Sequence, residues 1–231
     1  MYGGSVRLCK CAAHLPVGQP GRLNCTVVTE NVIEAEELKR IVEFHGHMCP
    51  GLALGVQAAR LALREIGAHA QDEEVVATVE TDMCAVDAIQ FLTGCTFGKG
   101  NLIHRDLGKN AYTFWRRSDG KAIRISGRPG VRRRDPEHQN LFERLAAGEA
   151  TPAERDRLWK LHHERSAAIL AMQPDELFTV VPVDDAPPRK ARVHVSVECD
   201  SCREETMETR IRLLRGKRLC PDCFDWELGA G

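Results

Sequence analysis

The first part of the chain alternates between helical and extended spacing of its apolar positions. Residues 32–44 carry Ile, Leu and Val side chains at roughly helical spacing, with Glu and Lys on the opposite face, which predicts a helix. A second helix is predicted over residues 51–66, where small residues occupy several faces and indicate burial. Cys49 suits the N-cap of this helix and Pro50 its first position, while Gly67 ends it.

The remainder of the chain predicts shorter strands and one long helix. An apolar run predicts a strand over residues 74–82, and residues 85–92 follow as a helix. Two apolar runs on either side of residues 118–120 (SDG) predict a β-hairpin. A helix is predicted over residues 151–172, because its first four residues (TPAE) combine a capping box with Pro at the first helical position. Residues 176–183 return to strand spacing.

Length and periodicity divide the chain into three parts. A chain of 231 residues is long enough for one sizeable core and a small appendage. Residues 1–30 show little periodicity, and we expect a loosely ordered extension there. This extension contains three cysteines, Cys9, Cys11 and Cys25. We expect residues 31–186 to form the core and residues 187–231 to form a linker strand and a zinc ribbon.

The charge balance gives no reason to expect nucleic acid or a membrane as a partner. The formal net charge is −1, so there is no overall electrostatic attraction to either. No run of about 18 apolar residues is present, and the N-terminus lacks the basic-then-apolar layout of a signal peptide. We therefore expect a cytoplasmic protein without a membrane segment.

The cysteine content is unusual for such a protein. Ten cysteines are present, and most of them occur in clusters with the spacing of metal ligands. The alternative, a disulfide framework, is typical of shorter secreted domains. Metal-bound thiolates in a reducing cytoplasm fit the pattern better.

The most specific motif is at the C-terminus. Two CxxC pairs, Cys199 with Cys202 and Cys220 with Cys223, are separated by a segment of hairpin length. Two such knuckles place four thiolates tetrahedrally around zinc. A domain of this size needs the metal in order to fold. A CxxC redox pair, the alternative, usually occurs singly and beside a βαβ unit. The sequence therefore predicts a structural zinc ribbon.

This spacing also resembles the four-cysteine finger of the DksA/TraR class of transcription regulators. Arg and Lys exceed Glu between the two knuckles, which would allow contact with RNA polymerase or nucleic acid. A solvated face of mixed charge is the alternative, and the aromatic residues that stack on bases are missing. We do not expect nucleic acid as a partner. A regulatory protein whose ribbon contacts another protein remains one functional hypothesis.

A second concentration of metal ligands precedes the second helix. The segment FHGHMCPG places His45, His47 and Cys49 within five residues. At a helix N-terminus the dipole and free amides stabilise a thiolate, which makes Cys49 a better ligand and a better nucleophile. Cys84 repeats the arrangement at the start of the next helix, with Asp87 one turn further along. The alternative is a pair of buried structural cysteines with histidines bonded to backbone carbonyls.

These residues also permit an enzyme. Cys49 or Cys84 would be the nucleophile, with a histidine as base, and Asp87 is a further catalytic candidate. The loop Gly98-Lys99-Gly100 would hold an anionic substrate, although it lacks the glycine spacing and the Ser or Thr of a P-loop. An exposed lysine in a tight turn is the alternative interpretation of this loop.

Three long motifs together resemble a known family. HGHMCPG, TDMCAVDAIQFLTGCTFGKGN and DLGKNAYTFW are similar to the FmdE family, which is named after formylmethanofuran dehydrogenase, and the resemblance runs from about residue 38 to residue 225. It implies an α+β fold, with a mixed sheet flanked by helices and a small C-terminal zinc ribbon. It also implies a homodimer and a polar pocket. That pocket would comprise His45, His47, Cys49, Cys84 and Asp87, with Gln90, Thr93, Gly94 and residues 98–101 nearby.

The resemblance favours a metal-binding accessory protein. Members occur with molybdenum or tungsten oxidoreductases without being the catalytic component, so such an oxidoreductase is the implied partner. Imidazole and thiolate ligands favour soft or borderline ions. We therefore expect a second divalent metal, zinc or nickel, in addition to the ribbon zinc. Family members tend to have Gly after the second ribbon cysteine, where this chain has Arg203, so strain is expected in that knuckle.

Overall fold

The N-terminal helices form where the apolar spacing predicts them. A computed structural model of the protein describes residues 34–131 and 133–229, and the interpretations of residues 1–30 and their cysteines lie outside this part of the chain. Helix α1 (Ala35–His45) ends at Gly46, whose φ of 95° is left-handed. Helix α2 (Pro50–Ile66) is buried on most faces, and Cys49 is its N-cap as predicted.

A five-stranded mixed sheet lies beside these helices. Its strand order is β2-β1-β3-β4-β5, with β1 and β2 parallel and the other neighbours antiparallel. The strands are β1 (Val75–Val79), β2 (Leu102–His104), β3 (Ala111–Arg116), β4 (Ala122–Gly127) and β5 (Phe178–Pro182). The predicted hairpin is confirmed as the β3–β4 pair, and the mixed sheet with flanking helices confirms the expected α+β fold.

Helix α3 (Ala85–Thr93) packs closely against α2. Gly55 permits this approach, because a Cβ atom built there would lie 2.6 Å from the Cα of Ala85. Gly94 ends α3 with a left-handed φ of 69°, as the sequence predicted. The close contact brings the N-terminus of α3 beside the N-terminus of α2 and therefore brings Cys84 beside Cys49.

A helical hairpin covers the other side of α2. Helices α4 (Pro136–Ala146) and α5 (Pro152–Ala171) form it, and the predicted capping box of α5 is present. The fully buried side chain of Gln57 donates hydrogen bonds to three carbonyl oxygens at the C-terminal end of α5, at 2.7–3.0 Å. These bonds fix α5 against α2, because an unpaired amide at this depth would be costly.

The C-terminal ribbon consists of short elements. Two separate two-stranded sheets and one helix form it: β6 (Ser196–Glu198), β7 (Glu205–Met207), β8 (Arg212–Leu214), β9 (Lys217–Leu219) and α7 (Pro221–Glu227). Arg203 has a φ of 68°, the left-handed conformation that favours glycine. A non-glycine residue there costs on the order of 1 kcal/mol, so the expected strain in the first knuckle is present.

Two elements were not predicted from the sequence. Strand β2 has three residues, too few for a recognisable alternation, and the four-residue helix α6 (Pro174–Leu177) precedes β5 where only a strand was expected. In the linker, the alternating valines suggested an earlier strand, but β6 begins only at Ser196, and Val193 and Val195 are exposed. No helix in residues 34–131 and 133–229 has both the length and the apolar character needed to cross a bilayer.

Candidate metal centre and ligand cavity

The turn between α1 and α2 gathers three potential ligands. Ligand atoms of His45, His47 and Cys49 all lie within 4.8 Å of one another. The left-handed Gly46 between the two histidines reverses the chain, so that the imidazole centroids are only 4.7 Å apart. The arrangement suits one metal ion, because nitrogen and sulfur ligands of zinc lie about 2.0–2.3 Å from the metal.

A carboxylate fixes the orientation of His45. Asp87, in the first turn of α3, lies 2.6 Å from Nδ1 of His45 through its Oδ2 atom. The opposite nitrogen, Nε2, is buried and has no hydrogen-bond partner. A histidine held by a carboxylate on one nitrogen presents the other nitrogen to a metal. The unpartnered Nε2 of His45 therefore fits a metal ligand better than a structural histidine.

Two cysteines meet at the helix N-termini. The sulfur of Cys49 accepts a hydrogen bond from the backbone N–H of Leu52 at 3.4 Å. Cys84 lies beside it, and Gly51 leaves room for both, since a Cβ atom at Gly51 would be 3.1 Å from Cβ of Cys84 and 3.7 Å from the sulfur of Cys49. Burial, followed by the proximity of Cys49, raises the pKa of the Cys84 thiol. Its sulfur lies outside the compact set formed by the two histidines and Cys49.

These side chains open into a cavity of about 600 Å³. Cys84 and Asp87 line it with the three ligands of the turn, and the α4–α5 hairpin forms the opposite side. Small-molecule sites typically have volumes of about 300–1,000 Å³. The cavity is thus large enough for an organic ligand next to the proposed metal.

A continuous row of rings lines the cavity. His45 is 4.7 Å from His47, and His47 packs edge-on against Trp159 at 5.9 Å. Trp159 lies 5.5 Å from His162, which is 4.7 Å from His138. The row extends from the turn before α2 to the α4–α5 hairpin, so the two sides of the cavity form one connected surface.

The α4–α5 side was missed by the sequence analysis. Its lining side chains include His138, Trp159, His162 and Arg165 together with Arg133 and Arg134. Trp159, His162 and Arg165 are spaced i, i+3 and i+6 on α5, which places them along one face of the helix. This spacing was a usable signal, but a mixed polar face on a long helix is usually only solvated.

The Gly98-Lys99-Gly100 loop lies elsewhere. It does not contribute to the lining of the cavity, and the ammonium of Lys99 donates to the carbonyl oxygens of Ala70 at 2.9 Å and Gln71 at 3.4 Å. The side chain of Gln90 reaches Oδ1 of Asp87 at 3.5 Å, whereas Thr93 bonds to the carbonyl of Ile89 within α3. The structure therefore brings together the His–Cys turn and the start of α3, without this loop.

The ribbon cysteines form a second compact set. The four sulfur atoms of Cys199, Cys202, Cys220 and Cys223 all lie within 4.8 Å of one another. The separation of 3.9 Å between the sulfurs of Cys202 and Cys220 matches the edge of a ZnS₄ tetrahedron, about 3.8 Å for Zn–S bonds of about 2.3 Å. The backbone N–H of Cys220 donates to the sulfur of Cys199 at 3.3 Å and lowers the pKa of that thiol.

Comparison with known proteins agrees with this geometry. A protein from Archaeoglobus fulgidus described as a "Probable S-adenosyl-L-methionine-binding protein" is 35% identical over 183 residues, which are 76% of this chain and 50% of that protein. The chain thus spans about half the length of this curated relative. The crystal structure of an FmdE-like protein of tungsten formylmethanofuran dehydrogenase, from Syntrophus aciditrophicus, has a TM-score of 0.54 at 26% identity. That match covers 82% of this chain and 90% of the other chain.

A family profile matches the segment that contains the cavity. Residues 44–179 match the family described as "FmdE, Molybdenum formylmethanofuran dehydrogenase operon". The matched segment begins at the His–Cys turn and ends within β5, so it includes the sheet, α3 and the α4–α5 hairpin. The chain belongs to the FmdE family.

Proposed function

We propose that the protein is a metal-binding accessory protein. It binds a divalent metal through His45, His47 and Cys49 and a structural zinc through the four ribbon cysteines. The observation that carries the first site is the buried Nε2 of His45, which is unpartnered and converges with the other two ligands while Asp87 holds the opposite nitrogen. Three protein ligands leave a coordination position that an exogenous ligand can occupy.

The ligand set restricts the metal to a few ions. Two imidazoles and a thiolate favour soft or borderline ions such as zinc or nickel over magnesium or calcium, which prefer oxygen ligands. The family description and the tungsten-enzyme relative support a role beside a molybdenum or tungsten oxidoreductase, in its maturation or in metal handling. Such an oxidoreductase and a second copy of this chain are the proposed partners.

Metal content tests the His–Cys site directly. We expect two metal equivalents per chain in the purified protein and one in the His45→Ala/Cys49→Ala variant, because two of three ligands are removed. Asp87→Asn is expected to lower the affinity of this site by about 10–100-fold, since carboxylate partners of metal-bound histidines have effects of that size. Elemental analysis and competition with a chelator measure both quantities.

Cys95→Ala is the matched control. Cys95 is also a buried thiol, but its sulfur interacts with the carbonyl of Val75 at 3.6 Å, and it is not part of either ligand set. This variant should retain two equivalents. One equivalent in both the wild type and the double variant would refute the second metal site, and circular dichroism would establish that the variants are folded.

A second candidate function is the binding of S-adenosylmethionine. The description of the Archaeoglobus relative motivates it, and Trp159, which is 44% exposed beside the cavity, offers an indole surface to an adenine ring. Calorimetry with S-adenosylmethionine should then show binding that weakens about 10-fold or more in Trp159→Ala, as expected for the loss of a base–aromatic stack. The control variant is Trp226→Ala, which removes an exposed indole of the ribbon. The absence of binding to the wild type would exclude this function.

A further inference from the structure

Unpaired polar atoms are concentrated in the cavity. Among the described residues, six buried side-chain nitrogens have no hydrogen-bond partner, and four of these line the cavity. They are Nε2 of His45, Nδ2 of Asn110, Nε2 of His138 and Nδ1 of His162. A buried polar atom without a partner is destabilising, and a group of them calls for a specific explanation. The metal accounts for His45 only.

Asn110 contributes a hydrogen-bond donor. Its Oδ1 atom accepts a hydrogen bond from the hydroxyl of Tyr112 at 2.5 Å, which assigns the other end of the amide as NH₂. That NH₂ group is the unpartnered atom that lines the cavity. The residue is therefore oriented to donate to a ligand rather than to accept from one.

The two histidines of the α4–α5 hairpin contribute further donors. His138 is only 2% exposed, and its ring meets that of His162 edge to face at 4.7 Å. Burial lowers the pKa of both imidazoles, to about 4 for His162, with a further contribution from nearby positive charge. A neutral imidazole still carries one N–H, so each ring can donate to an acceptor in the cavity.

Three arginines surround these donors. Arg133, Arg134 and Arg165 line the cavity, and no carboxylate of the described residues lies within 4.0 Å of their guanidinium nitrogens. Arg134 stacks on the ring of Phe142 at 3.9 Å, and Arg165 donates to the carbonyl of Val131 at 3.1 Å. Each of these two side chains is thus positioned by one contact, and a guanidinium offers five donors.

We propose that the cavity binds an organic anion whose carboxylate or phosphate group is held by Arg133, Arg134 and Arg165 with hydrogen bonds from Asn110, His138 and His162. Donors predominate around this subsite, and its formal charges are positive. Apolar side chains such as Phe142, Leu145 and Ile169 line the same space and suit the carbon skeleton of the ligand. This inference rests on the proposed function in one respect, since the opposite end of the ligand reaches the metal.

A second metal ion would not account for these donors. The groups of metal-ligating side chains within the described residues are the two already given, and neither includes His138 or His162. Two imidazoles alone are too few ligands for a stable zinc site. Three adjacent guanidinium groups would also repel a cation and attract an anion.

Phenyl phosphate and benzoate are suitable probes, with benzyl alcohol as the uncharged analogue. We expect calorimetric binding of at least one of the two anions to the metal-loaded protein and none of the alcohol. Arg134→Gln/Arg165→Gln should weaken that binding about 10-fold or more, because hydrogen bonds to charged groups contribute about 1.5–3 kcal/mol each. Lys160→Gln is the matched control, since Lys160 is an exposed cation of α5 outside the cavity lining. It should leave the affinity unchanged.

His138→Phe separates a ligand-binding role from a structural role. Phenylalanine retains the ring contact with His162 but removes the unpaired nitrogen, so we expect an unchanged or raised Tm together with weaker anion binding. A lower Tm without a change in affinity would overturn the assignment of His138. Equal affinity in the wild type and the double arginine variant, or no binding of either anion, would overturn the subsite.

The anion subsite and the metal site can fail separately. The same titrations on the metal-free protein should still show anion binding, since the arginines and donors remain, with lower affinity for the loss of the metal contact. If elemental analysis finds only the ribbon metal but phenyl phosphate or benzoate binds in an arginine-dependent way, the anion subsite stands and the second metal does not. If the metal is present and neither anion binds, the reverse holds.

Discussion

Gly55→Ala is expected to destabilise the core by about 3 kcal/mol, at the upper end of the usual cost of overpacking. The new Cβ atom would lie 2.6 Å from the Cα and 2.8 Å from the carbonyl carbon of Ala85, and it would also contact the carbonyl oxygen. These atoms are backbone and cannot rotate away. The higher helix propensity of alanine favours the variant by only about 1 kcal/mol, so the steric term decides the sign.

The same substitution should weaken the His–Cys metal site. Relief of the clash requires α3 to move away from α2, and α3 carries Asp87 and adjoins Cys84 at its N-terminus. The contact of 2.6 Å between Asp87 and His45 should therefore lengthen or break. Urea denaturation measures the change in stability, and elemental analysis measures the metal.

Gly98→Ala is the control for this prediction. Gly98 does not have a left-handed φ, and no atom lies within 4 Å of a Cβ atom built there. A stability within about 0.5 kcal/mol of the wild type is expected, as for most surface substitutions. If Gly55→Ala were as stable as Gly98→Ala, the close packing of α2 on α3 described above would be wrong.

The elements that the sequence predicted well depend on local signals. Helix α2 begins at Pro50 after the N-cap Cys49, and α5 begins at its capping box, because N-cap and first-turn residues act on adjacent backbone groups. Strand β2 could not be predicted in this way. Its three residues are stabilised by parallel pairing with β1, as in the register of Ala77 with Leu102, which is a tertiary interaction.

The two sides of the cavity show the same contrast. His45, His47 and Cys49 are close in sequence, so their convergence was a reasonable expectation from spacing. Trp159 and His162 lie more than 100 positions further along the chain and reach the cavity only because α5 packs on α2. Side chains on a long helix with charged residues around it do not reveal which face is buried until the partner helix is known.

Removal of the ribbon metal is expected to unfold the ribbon while the core stays folded. Of the ribbon residues, only Cys199, Leu219 and Cys220 are buried, and two of these three are proposed metal ligands. Each sheet of the ribbon has two strands of three residues, and an isolated pair of strands is marginal in water. Apolar burial on this scale cannot offset the conformational entropy of ordering the segment, so the metal bonds must supply the stability.

Cys199→Ser tests this dependence within one chain. Loss of one thiolate should release the ribbon metal and abolish the hydrogen-exchange protection of amides in β6–β9, because binding and folding of such a site are one equilibrium. Amides of β1 and β3 should keep their protection, and the His–Cys site should keep its metal.

Arg203→Gly is the opposing variant, because it leaves all four cysteines in place. It relieves the left-handed φ of 68° and should retain the metal with a ribbon as stable as the wild type or about 1 kcal/mol more stable. Protected ribbon amides in Cys199→Ser after its metal is lost would show that side-chain packing alone holds the ribbon. Loss of protection in Cys199→Ser, with retention in Arg203→Gly, would instead establish that the thiolates hold the ribbon together through the metal.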